Sequence, residues 1–261
     1  MRKVIIMLAT AALLASGCSA PDFFKDSRNH SKEKEKPQSS KTPWKDSPTL
    51  EAAYFNDIKV VDGKKIINNP YNELALVNKE YGLPSSYTPD DLVRANVSYS
   101  FGEEKLEKAL LREDAAKALE IMFSEARKQG VELFAVSGYR SYDRQTAVFD
   151  AEVQRVGKEK AAEAVAFPGN SEHQTGLAMD ISGNSVGLNL TEELGNAKEG
   201  VWLADNAYRF GYILRYPRGK EDITGYQYEP WHFRFVGKNA AETIYKNKWT
   251  LEEYFETVKK I

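Results

Sequence analysis

The fold is decided by residues 113–141, which read EDAAKALEIMFSEARKQGVELFAVSGYRS. Apolar side chains recur at helical spacing as far as Gln129, and Gly130 interrupts the pattern, which predicts a helix with one face towards a core. These side chains are Ala115, Ala118, Leu119, Met122, Phe123 and Ala126. Residues 131–136 form an apolar run with the length and composition of a buried strand. A helix that leads straight into a buried strand predicts helices packed on a sheet.

The pattern continues towards the C-terminus with further helices and strands. Ser141 is a suitable N-cap for a second helix that extends to about Val165. The remaining periodicities predict strands at 176–182, 212–216 and 232–236 and a helix at 201–210. Because the two kinds of element do not alternate regularly, the sequence predicts an α+β fold. We expect a single domain with a mostly antiparallel sheet flanked by helices.

On the N-terminal side of this region the signals are shorter. Residues 58–67, IKVVDGKKII, predict a β-hairpin, because the Asp-Gly pair suits the positive φ angles of a tight turn between β-rich arms. Residues 84–91 contain two prolines and two aspartates and predict loops and a short helix. We therefore expect the folded domain to span residues 51–261.

The N-terminus has the pattern of an export signal. Two basic residues precede an apolar or small run at 4–15, which is about 12 residues long, too short to span a bilayer and typical of a cleaved segment. Cys18 is the only cysteine, and residues 14–18, LASGC, resemble the bacterial lipobox. That resemblance implies a lipoprotein signal peptide at 1–17 and a lipid on Cys18 that anchors an extracytoplasmic protein to the cell membrane. Ordinary secretion with an incidental cysteine is the alternative.

Residues 18–50 begin with this cysteine and continue as a polar segment rich in Lys, Glu, Ser, Asp and Pro. No periodicity is present, so we expect a disordered tether. Its basic residues leave open a weak attraction to an anionic envelope surface, beside the role of a plain spacer. The formal net charge of the chain is −2, which gives no reason to expect nucleic acid as a partner. We expect a monomer.

Two of the three histidines, His173 and His232, lie in the predicted domain. Each alone would be interpreted as a packed core residue. Asp180 changes that interpretation, because alternation along the strand at 176–182 places it on the face opposite the large apolar side chains. Its neighbours on that face are a glycine and an alanine, which leave room for an ion and a substrate.

Two imidazoles and one carboxylate are a common ligand set for catalytic zinc, with a fourth position left for water. Zinc held in this way lowers the pKa of the water to about 7 and polarises a carbonyl group. A base is still needed, and Glu229 lies three residues before His232. Strand alternation would separate these two side chains, so we expect Pro230 to mark a bend that lets them converge. A surface salt bridge is the alternative for Glu229.

Three motifs make the sequence resemble a known family. S-x-H-x-x-G-x-A-x-D occupies residues 171–180, S-G-Y-R-S occupies 137–141 and E-P-W-H occupies 229–232. Together they closely resemble the VanY-type D-alanyl-D-alanine carboxypeptidases and L,D-carboxypeptidases. These belong to a group of zinc peptidases that also includes lysostaphin-type enzymes and the hedgehog signalling domain. The resemblance covers about residues 66–250 in the expected order.

The resemblance implies one zinc ion per chain, bound on the sheet face, and a role for each motif residue. The implied zinc ligands are His173, Asp180 and His232; the implied base, and later acid, is Glu229; and the implied substrate-binding residues are Arg140, Ser171, Gln145 and Tyr139. Arg140 would bind the terminal carboxylate or the developing oxyanion, and a planar guanidinium at the end of a buried strand suits a carboxylate. An ordinary salt bridge is the alternative for Arg140, and core packing is the alternative for Tyr139.

The implied function is a zinc metallocarboxypeptidase that removes the C-terminal D-alanine from peptidoglycan stem peptides in cell-wall remodelling. D,D-cleavage of a pentapeptide and L,D-cleavage of a tetrapeptide both release D-alanine, and the sequence leaves both open. A non-catalytic peptidoglycan-binding module of the same fold is the alternative, and the presence of Glu229 counts against it. Fragments of serine-peptidase motifs, such as Ser31-x-x-Lys34, do not form a set, because Ser31 lies in the tether and no Lys-Thr-Gly follows.

Overall fold

A computed structural model describes residues 47–261, so the predicted signal peptide, Cys18 and most of the predicted tether lie outside the described residues. The strands of this part are β1 (Thr49–Leu50), β2 (Ile58–Val61), β3 (Lys64–Ile67), β4 (Tyr81–Gly82), β5 (Leu92–Arg94), β6 (Leu110–Arg112), β7 (Leu133–Ser137), β8 (Ala178–Gly183), β9 (Tyr212–Leu214), β10 (His232–Phe235) and β11 (Lys259–Lys260). The α-helices are α1 (Glu113–Lys128), α2 (Tyr142–Val156), α3 (Lys158–Ala164), α4 (Lys198–Asn206), α5 (Glu221–Thr224), α6 (Lys238–Asn247) and α7 (Leu251–Thr257). None of the helices within residues 47–261 is long and apolar enough to cross a membrane.

The centre of the fold is a four-stranded sheet in the order β7-β8-β10-β9, in which every neighbouring pair is antiparallel. Helix α1 covers one face of this sheet. Leu119 and Met122 from the helix share a buried cluster with Met179, Ile181 and Phe233 from the sheet, and burial of each such side chain contributes roughly 1.5–3 kcal/mol. The predicted α+β fold with a mostly antiparallel sheet flanked by helices is therefore confirmed.

Alternation along β8 separates the two faces of the sheet, as the sequence predicts. Met179 and Ile181 face the core, while Asp180 lines a cleft on the other side. That second face is less open than expected, because a 3-10 turn at Glu172–Thr175 folds over it and contacts both Asp180 and Arg234. Asp180 is consequently only 4% exposed.

The hairpin predicted at 58–67 is present as β2 and β3, which pair antiparallel with Val61 opposite Lys64. Asp62 and Gly63 form its turn with φ angles of 50° and 76°. Glycine meets the least steric cost at such an angle, so the Asp-Gly pair specifies the turn. Strand β4 extends this small sheet by pairing with β3 in parallel.

The prediction of a short helix within residues 84–91 is wrong. The chain there is irregular and continues into β5, which pairs antiparallel with β6. Asp91 accepts a hydrogen bond from Arg112 Nε at 3.0 Å. Asp91 therefore connects the start of β5 to Arg112 in β6.

The second predicted helix is divided into two. It was expected to reach about Val165, but α2 ends at Val156 and α3 begins at Lys158. Gly157 separates them with φ 85° and ψ 160°, a conformation that only glycine adopts readily. The helix expected at 201–210 is α4 followed by a 3-10 turn.

The folded unit begins before residue 51. Thr49 and Leu50 form β1, which pairs in parallel with β11 near the other end of the described chain. Lys259 N also donates to the Pro48 carbonyl at 2.9 Å. These partners satisfy backbone groups that a free tether would leave to water, so the last residues assigned to the tether belong to the domain.

Candidate active site

A cleft of about 270 Å³ lies on the sheet face opposite α1. Strands β8 and β10 form its floor, and its walls come from the loop after β7, from α2 and from the segment between α3 and β8. All of the site residues predicted within the domain line it except Tyr139. They are His173, Asp180, His232, Glu229, Arg140, Gln145 and Ser171.

Three possible metal ligands meet at the bottom of this cleft. Asp180 and His232 are register partners on β8 and β10, and the 3-10 turn before β8 brings His173 next to them. His173 Nε2 lies 3.5 Å from Asp180 Oδ2, and His232 Nδ1 lies 3.2 Å from Asp180 Oδ1. One ligand atom from each residue lies within 4.8 Å of the others. Tetrahedral zinc with bonds of about 2.0–2.1 Å keeps neighbouring ligand atoms about 3.3 Å apart, so the spacing suits zinc.

Each histidine is oriented by an acceptor on its other ring nitrogen. His173 Nδ1 lies 2.7 Å from the Gly138 carbonyl oxygen, and His232 Nε2 lies 3.2 Å from Glu172 Oε2. Both acceptors favour a proton on the nitrogen that they face. The lone pairs are then left on His173 Nε2 and His232 Nδ1, which are the atoms directed at Asp180.

Asp180 has an unsatisfied oxygen that a cation would complete. Its Oδ1 is buried and has no partner with hydrogen-bond geometry among the described residues, although His232 Nδ1 is near. Burial alone would raise the pKa of Asp180, but His173 and His232 outweigh burial and hold that pKa below its ordinary value. A buried carboxylate oxygen without a partner is costly, so the three residues fit a divalent metal ion.

The two imidazoles differ in their affinity for a proton. Burial lowers the pKa of His173 to about 3, so that this ring is neutral. Burial also disfavours the charged form of His232, but Asp180 and Glu172 outweigh it and raise its pKa to about 9. Binding of a metal ion to His232 Nδ1 would therefore release a proton.

Glu229 lies in the turn that leads into β10. His232 N donates to the Glu229 carbonyl at 3.2 Å and closes this turn around Pro230 and Trp231. The bend expected at Pro230 is present, and it places Glu229 Oε2 3.8 Å from His232 Nδ1. Burial raises the pKa of Glu229 to about 7, which suits a group that accepts and returns a proton near neutral pH.

Arg140 enters the cleft from the loop after β7. The register of β7 against β8 shifts between Ala135 and Ser137, a β-bulge that redirects the chain towards the cleft. The guanidinium donates to Gln145 Oε1 at 2.9 Å and to Ser137 Oγ at 3.2 Å, and both partners are neutral. No ion pair of Arg140 occurs among residues 47–261, and burial lowers its pKa. A partly buried guanidinium with neutral partners suits an anionic group of a ligand.

The other predicted substrate-binding residues occupy different positions. Gln145 joins Arg140 to the cleft wall, because its Nε2 donates to the Ala166 carbonyl at 2.7 Å, and Ser171 lines the cleft at the start of the 3-10 turn. Tyr139 is 4% exposed and donates to Thr88 Oγ1 at 3.3 Å. That position fits the core-packing alternative for Tyr139.

Glu172 is a further residue of the site that was not predicted from the sequence. This fully buried carboxylate contacts His232 through Oε2, and its Oε1 lies 2.7 Å from Arg215 Nε and 2.8 Å from Arg234 Nη1. Burial alone would raise the pKa of Glu172, but the two guanidinium groups outweigh burial and hold that pKa below its ordinary value. One signal was present in the sequence, since Arg234 follows His232 by two residues and alternation places both on one face of β10.

Comparisons with known proteins identify the family of the chain. Residues 108–238 match the family described as VanY: D-alanyl-D-alanine carboxypeptidase. Putative carboxypeptidase YodJ of Bacillus subtilis (strain 168) is 55% identical over 261 aligned residues, which cover 97% of this chain and 95% of YodJ. The chain belongs to the VanY family.

Solved structures of VanY-type carboxypeptidases share its fold. The LdcB LD-carboxypeptidase matches with a TM-score of 0.80 at 61% identity, over 82% of this chain and 99% of LdcB. A variant of the vancomycin-resistance D,D-pentapeptidase VanY in complex with Zn(II) matches with a TM-score of 0.58 at 36% identity, over 70% of this chain and 98% of that one. The VanY-family protein described here is a carboxypeptidase with the VanY/LdcB fold.

Proposed function

We propose that this VanY-family carboxypeptidase depends on zinc and removes the C-terminal D-alanine from peptidoglycan stem peptides. The observation that carries the proposal is the convergence of His173, Asp180 and His232 in one cleft with a partly buried base, Glu229, and a partly buried guanidinium, Arg140. The VanY D,D-pentapeptidase structure contains Zn(II). The structure of LdcB is described as revealing the basis of peptidoglycan recognition.

The residues of the cleft have different roles in hydrolysis. When bound, zinc supplies a Lewis acid that polarises the scissile carbonyl and acidifies a water, and His173 Nε2, Asp180 and His232 Nδ1 would hold it. Glu229 removes a proton from the attacking water and returns it to the departing amine of D-alanine. Its pKa of about 7 permits proton transfer in both directions near neutral pH.

Arg140 binds the carboxylate that marks the end of the peptide. Its guanidinium presents a planar fork of donors that matches a carboxylate, and charge-assisted bonds of this kind are stronger than neutral ones. The neighbouring wall at 164–166 reads Ala-Val-Ala and lines the same cleft. Small apolar side chains at this wall suit the methyl group of an alanine.

We propose L,D-cleavage of the tetrapeptide as the principal reaction. The LdcB LD-carboxypeptidase is 61% identical over 82% of this chain, whereas the D,D-pentapeptidase is 36% identical over 70%. D,D-cleavage of the pentapeptide is the second candidate, because the family is described by that activity.

Defined stem peptides test both the substrate class and the bond that is cut. The zinc-loaded protein is incubated with a tetrapeptide and with a pentapeptide, and the products are weighed by mass spectrometry. We expect loss of D-alanine from the tetrapeptide, and a rate about 10²–10⁴-fold lower for Glu229→Gln with its zinc retained. The matched control Glu242→Gln, in an exposed ion pair with Lys246, should leave the rate unchanged.

Each contrary outcome removes a different part of the proposal. If the zinc-loaded protein releases D-alanine from neither peptide, the substrate class is wrong. Release from the pentapeptide alone would replace L,D-cleavage by D,D-cleavage. Unchanged hydrolysis by Glu229→Gln would exclude Glu229 as the base.

We also propose that the protein works outside the cell membrane and is held there by a lipid on Cys18. The support is the lipobox-like run at 14–18, which follows a short apolar segment with a basic start. Lipid anchoring would keep the enzyme close to the wall peptides that it hydrolyses. The monomeric state stays a prediction.

A further inference from the structure

We infer that Glu172 is a positioning residue that fixes the orientation and the tautomer of the zinc ligand His232. The inference rests on the proposed zinc site and extends it from the ligands to the residue that holds one of them. Glu172 would contact neither the metal ion nor the substrate, so its effect on the reaction would pass through His232.

Glu172 and His232 meet in an enclosed contact. Their side chains are 0% and 6% exposed, and Glu172 Oε2 lies 3.2 Å from His232 Nε2. Because a carboxylate only accepts hydrogen bonds, Nε2 donates and carries the ring proton. The lone pair of the neutral ring is then on Nδ1, which lies 3.2 Å from Asp180 Oδ1. The contact thus selects the tautomer that binds metal at Nδ1.

Two arginines hold the Glu172 carboxylate in place. Arg215 Nε lies 2.7 Å and Arg234 Nη1 lies 2.8 Å from Glu172 Oε1, which leaves Oε2 for His232. Both arginine side chains and the glutamate side chain are 0% exposed, so water does not compete for the carboxylate. Arg215 directly follows β9 and Arg234 lies in β10, so two adjacent chain segments fix the carboxylate.

The arginines are themselves fixed by partners elsewhere in the fold. Arg215 Nη1 and Nη2 donate to the two carboxylate oxygens of Glu252 in α7 at 2.8 and 2.7 Å. Arg234 Nη2 donates to two backbone carbonyls in the segment 73–75 at 2.9 and 3.0 Å. With these donors occupied, Glu172 has one arrangement that satisfies both arginines and the imidazole.

Glutamine at position 172 would reverse the hydrogen bond to the histidine. Its amide oxygen would face the two guanidinium donors, which turns the amide NH₂ group towards His232 Nε2. That nitrogen would have to accept, so the ring proton would move to Nδ1 and block the metal-binding lone pair. Aspartate would keep the charge between the arginines, but it is one methylene shorter and would not reach them and His232 together.

Zinc affinity measured by chelator competition tests this inference. The proteins compared are wild type, Glu172→Gln, Glu172→Asp and the control Glu199→Gln. Glu199 is also a buried glutamate, 1% exposed, but it accepts a hydrogen bond from Ser185 and does not line the cleft. We expect zinc affinity about 10- to 100-fold weaker for Glu172→Gln, a smaller loss for Glu172→Asp and no change for the control. Wild-type affinity in Glu172→Gln would overturn the inference.

Nitrogen-15 NMR of the imidazole rings reads the tautomer directly. In the zinc-free proteins, at a pH at which the His232 ring is neutral, we expect the ring proton on Nε2 in wild type and on Nδ1 in Glu172→Gln. A retained Nε2 proton in this variant would contradict the inference. If circular dichroism shows that Glu172→Gln does not fold, Glu172→Asp takes its place in the affinity measurement, and unchanged zinc affinity there would overturn the inference.

The outcomes separate this inference from the proposed function. If wild type binds no zinc, the proposed metal site itself fails. If wild type binds zinc and the Glu172 variants bind it equally well, the proposed metal site stands and the role of Glu172 is wrong.

Discussion

Glu172 and Asp180 are buried and Glu229 is partly buried, and the three carboxylates differ in how their charge is compensated. Two guanidinium groups lie within 2.8 Å of Glu172, whereas Asp180 and Glu229 face an imidazole at 3.2 and 3.8 Å. Because an uncompensated buried charge costs several kcal/mol, these two carboxylates gain most from a bound cation. Glu229 is also the carboxylate whose pKa lies near neutrality.

Without zinc, Glu229 makes the folded protein less stable as the pH rises. Its pKa of about 7 in the fold lies above the unfolded value of about 4.3, so the folded state binds the proton more tightly. This stabilisation is complete below the unfolded pKa and is lost as the pH rises through 7. In zinc-free protein, Glu229→Gln should therefore raise the free energy of unfolding at pH 8 by at most about 4 kcal/mol, and by less at pH 5. Urea unfolding at both pH values measures this, and an equal gain at both would contradict it.

Arg140→Lys should weaken catalysis by lowering affinity for the peptide carboxylate. Lysine keeps the charge but lacks the planar fork, and hydrogen bonds to charged groups contribute about 1.5–3 kcal/mol. We expect kcat/KM to fall about 10- to 100-fold on the peptide that the enzyme cleaves best. A peptide amidated at its C-terminus is the control, since it offers no carboxylate for Arg140. An equal loss on both peptides would show that Arg140 acts on something other than the carboxylate.

Part of the site could be predicted from residue patterns and part could not. Strand alternation places Asp180 on the cleft face because its period of two is strict, and a proline before β10 predicts the turn that brings Glu229 to His232. Glu172 has no such local signal, because its meaning depends on Arg215, a partner 43 residues away in the chain.

Among the secondary-structure elements, two local departures from regular strand geometry direct side chains of the site into the cleft. The bulge in β7 sends the following loop into the cleft, and the turn at Pro230 brings Glu229 back over the floor. Pro230 predicts the turn from the sequence alone. The bulge has no comparable signal, since Val136 simply continues the apolar run at 131–136 and only pairing with β8 reveals that it is the extra residue.

The same contrast applies to the other elements. The hairpin at 58–67 and helix α1 are encoded locally, by an Asp-Gly turn and by helical spacing, and both were predicted. The pairing of β5 with β6 and of β1 with β11 joins segments distant in sequence. Local patterns carry no information on such partners, so these strands were missed.

Gly157→Ala tests the division between α2 and α3. Gly157 has φ 85° and ψ 160°, and a Cβ there would meet no atom within 4 Å, so the cost is conformational. We expect a loss of about 1–3 kcal/mol in the free energy of unfolding. Gly187→Ala is the control, because Gly187 has φ 62° and ψ 30°, where alanine costs about 1 kcal/mol. A smaller loss for Gly157→Ala than for the control would show that α2 and α3 merge without strain.

At the scale of the whole molecule, the site is supported from both faces of the central sheet. On one face, an apolar cluster packs β8 and β10 against α1. On the other face, the ion pairs of Arg215 connect the cleft to α7 near the C-terminus. The face that carries His173, Asp180 and His232 is therefore fixed by contacts from distant parts of the chain. That arrangement explains why the two histidines converge although 59 positions separate His173 from His232.

Cys18→Ser tests the proposed membrane anchor. If Cys18 carries a lipid, wild type should remain with the membrane fraction, and the variant should appear in the soluble fraction because it lacks the acylated thiol. Activity of the purified proteins on soluble peptides should stay the same, since Cys18 is not among the residues that line the cleft. The same distribution of both proteins would favour ordinary secretion.

The most direct test of the zinc site is anomalous diffraction at the zinc edge from crystals of the zinc-loaded protein. We expect one strong peak per chain, bounded by His173 Nε2, the Asp180 carboxylate and His232 Nδ1, with Glu229 beside it. A peak elsewhere, coordination through His232 Nε2, or no peak in protein that hydrolyses stem peptides would contradict it.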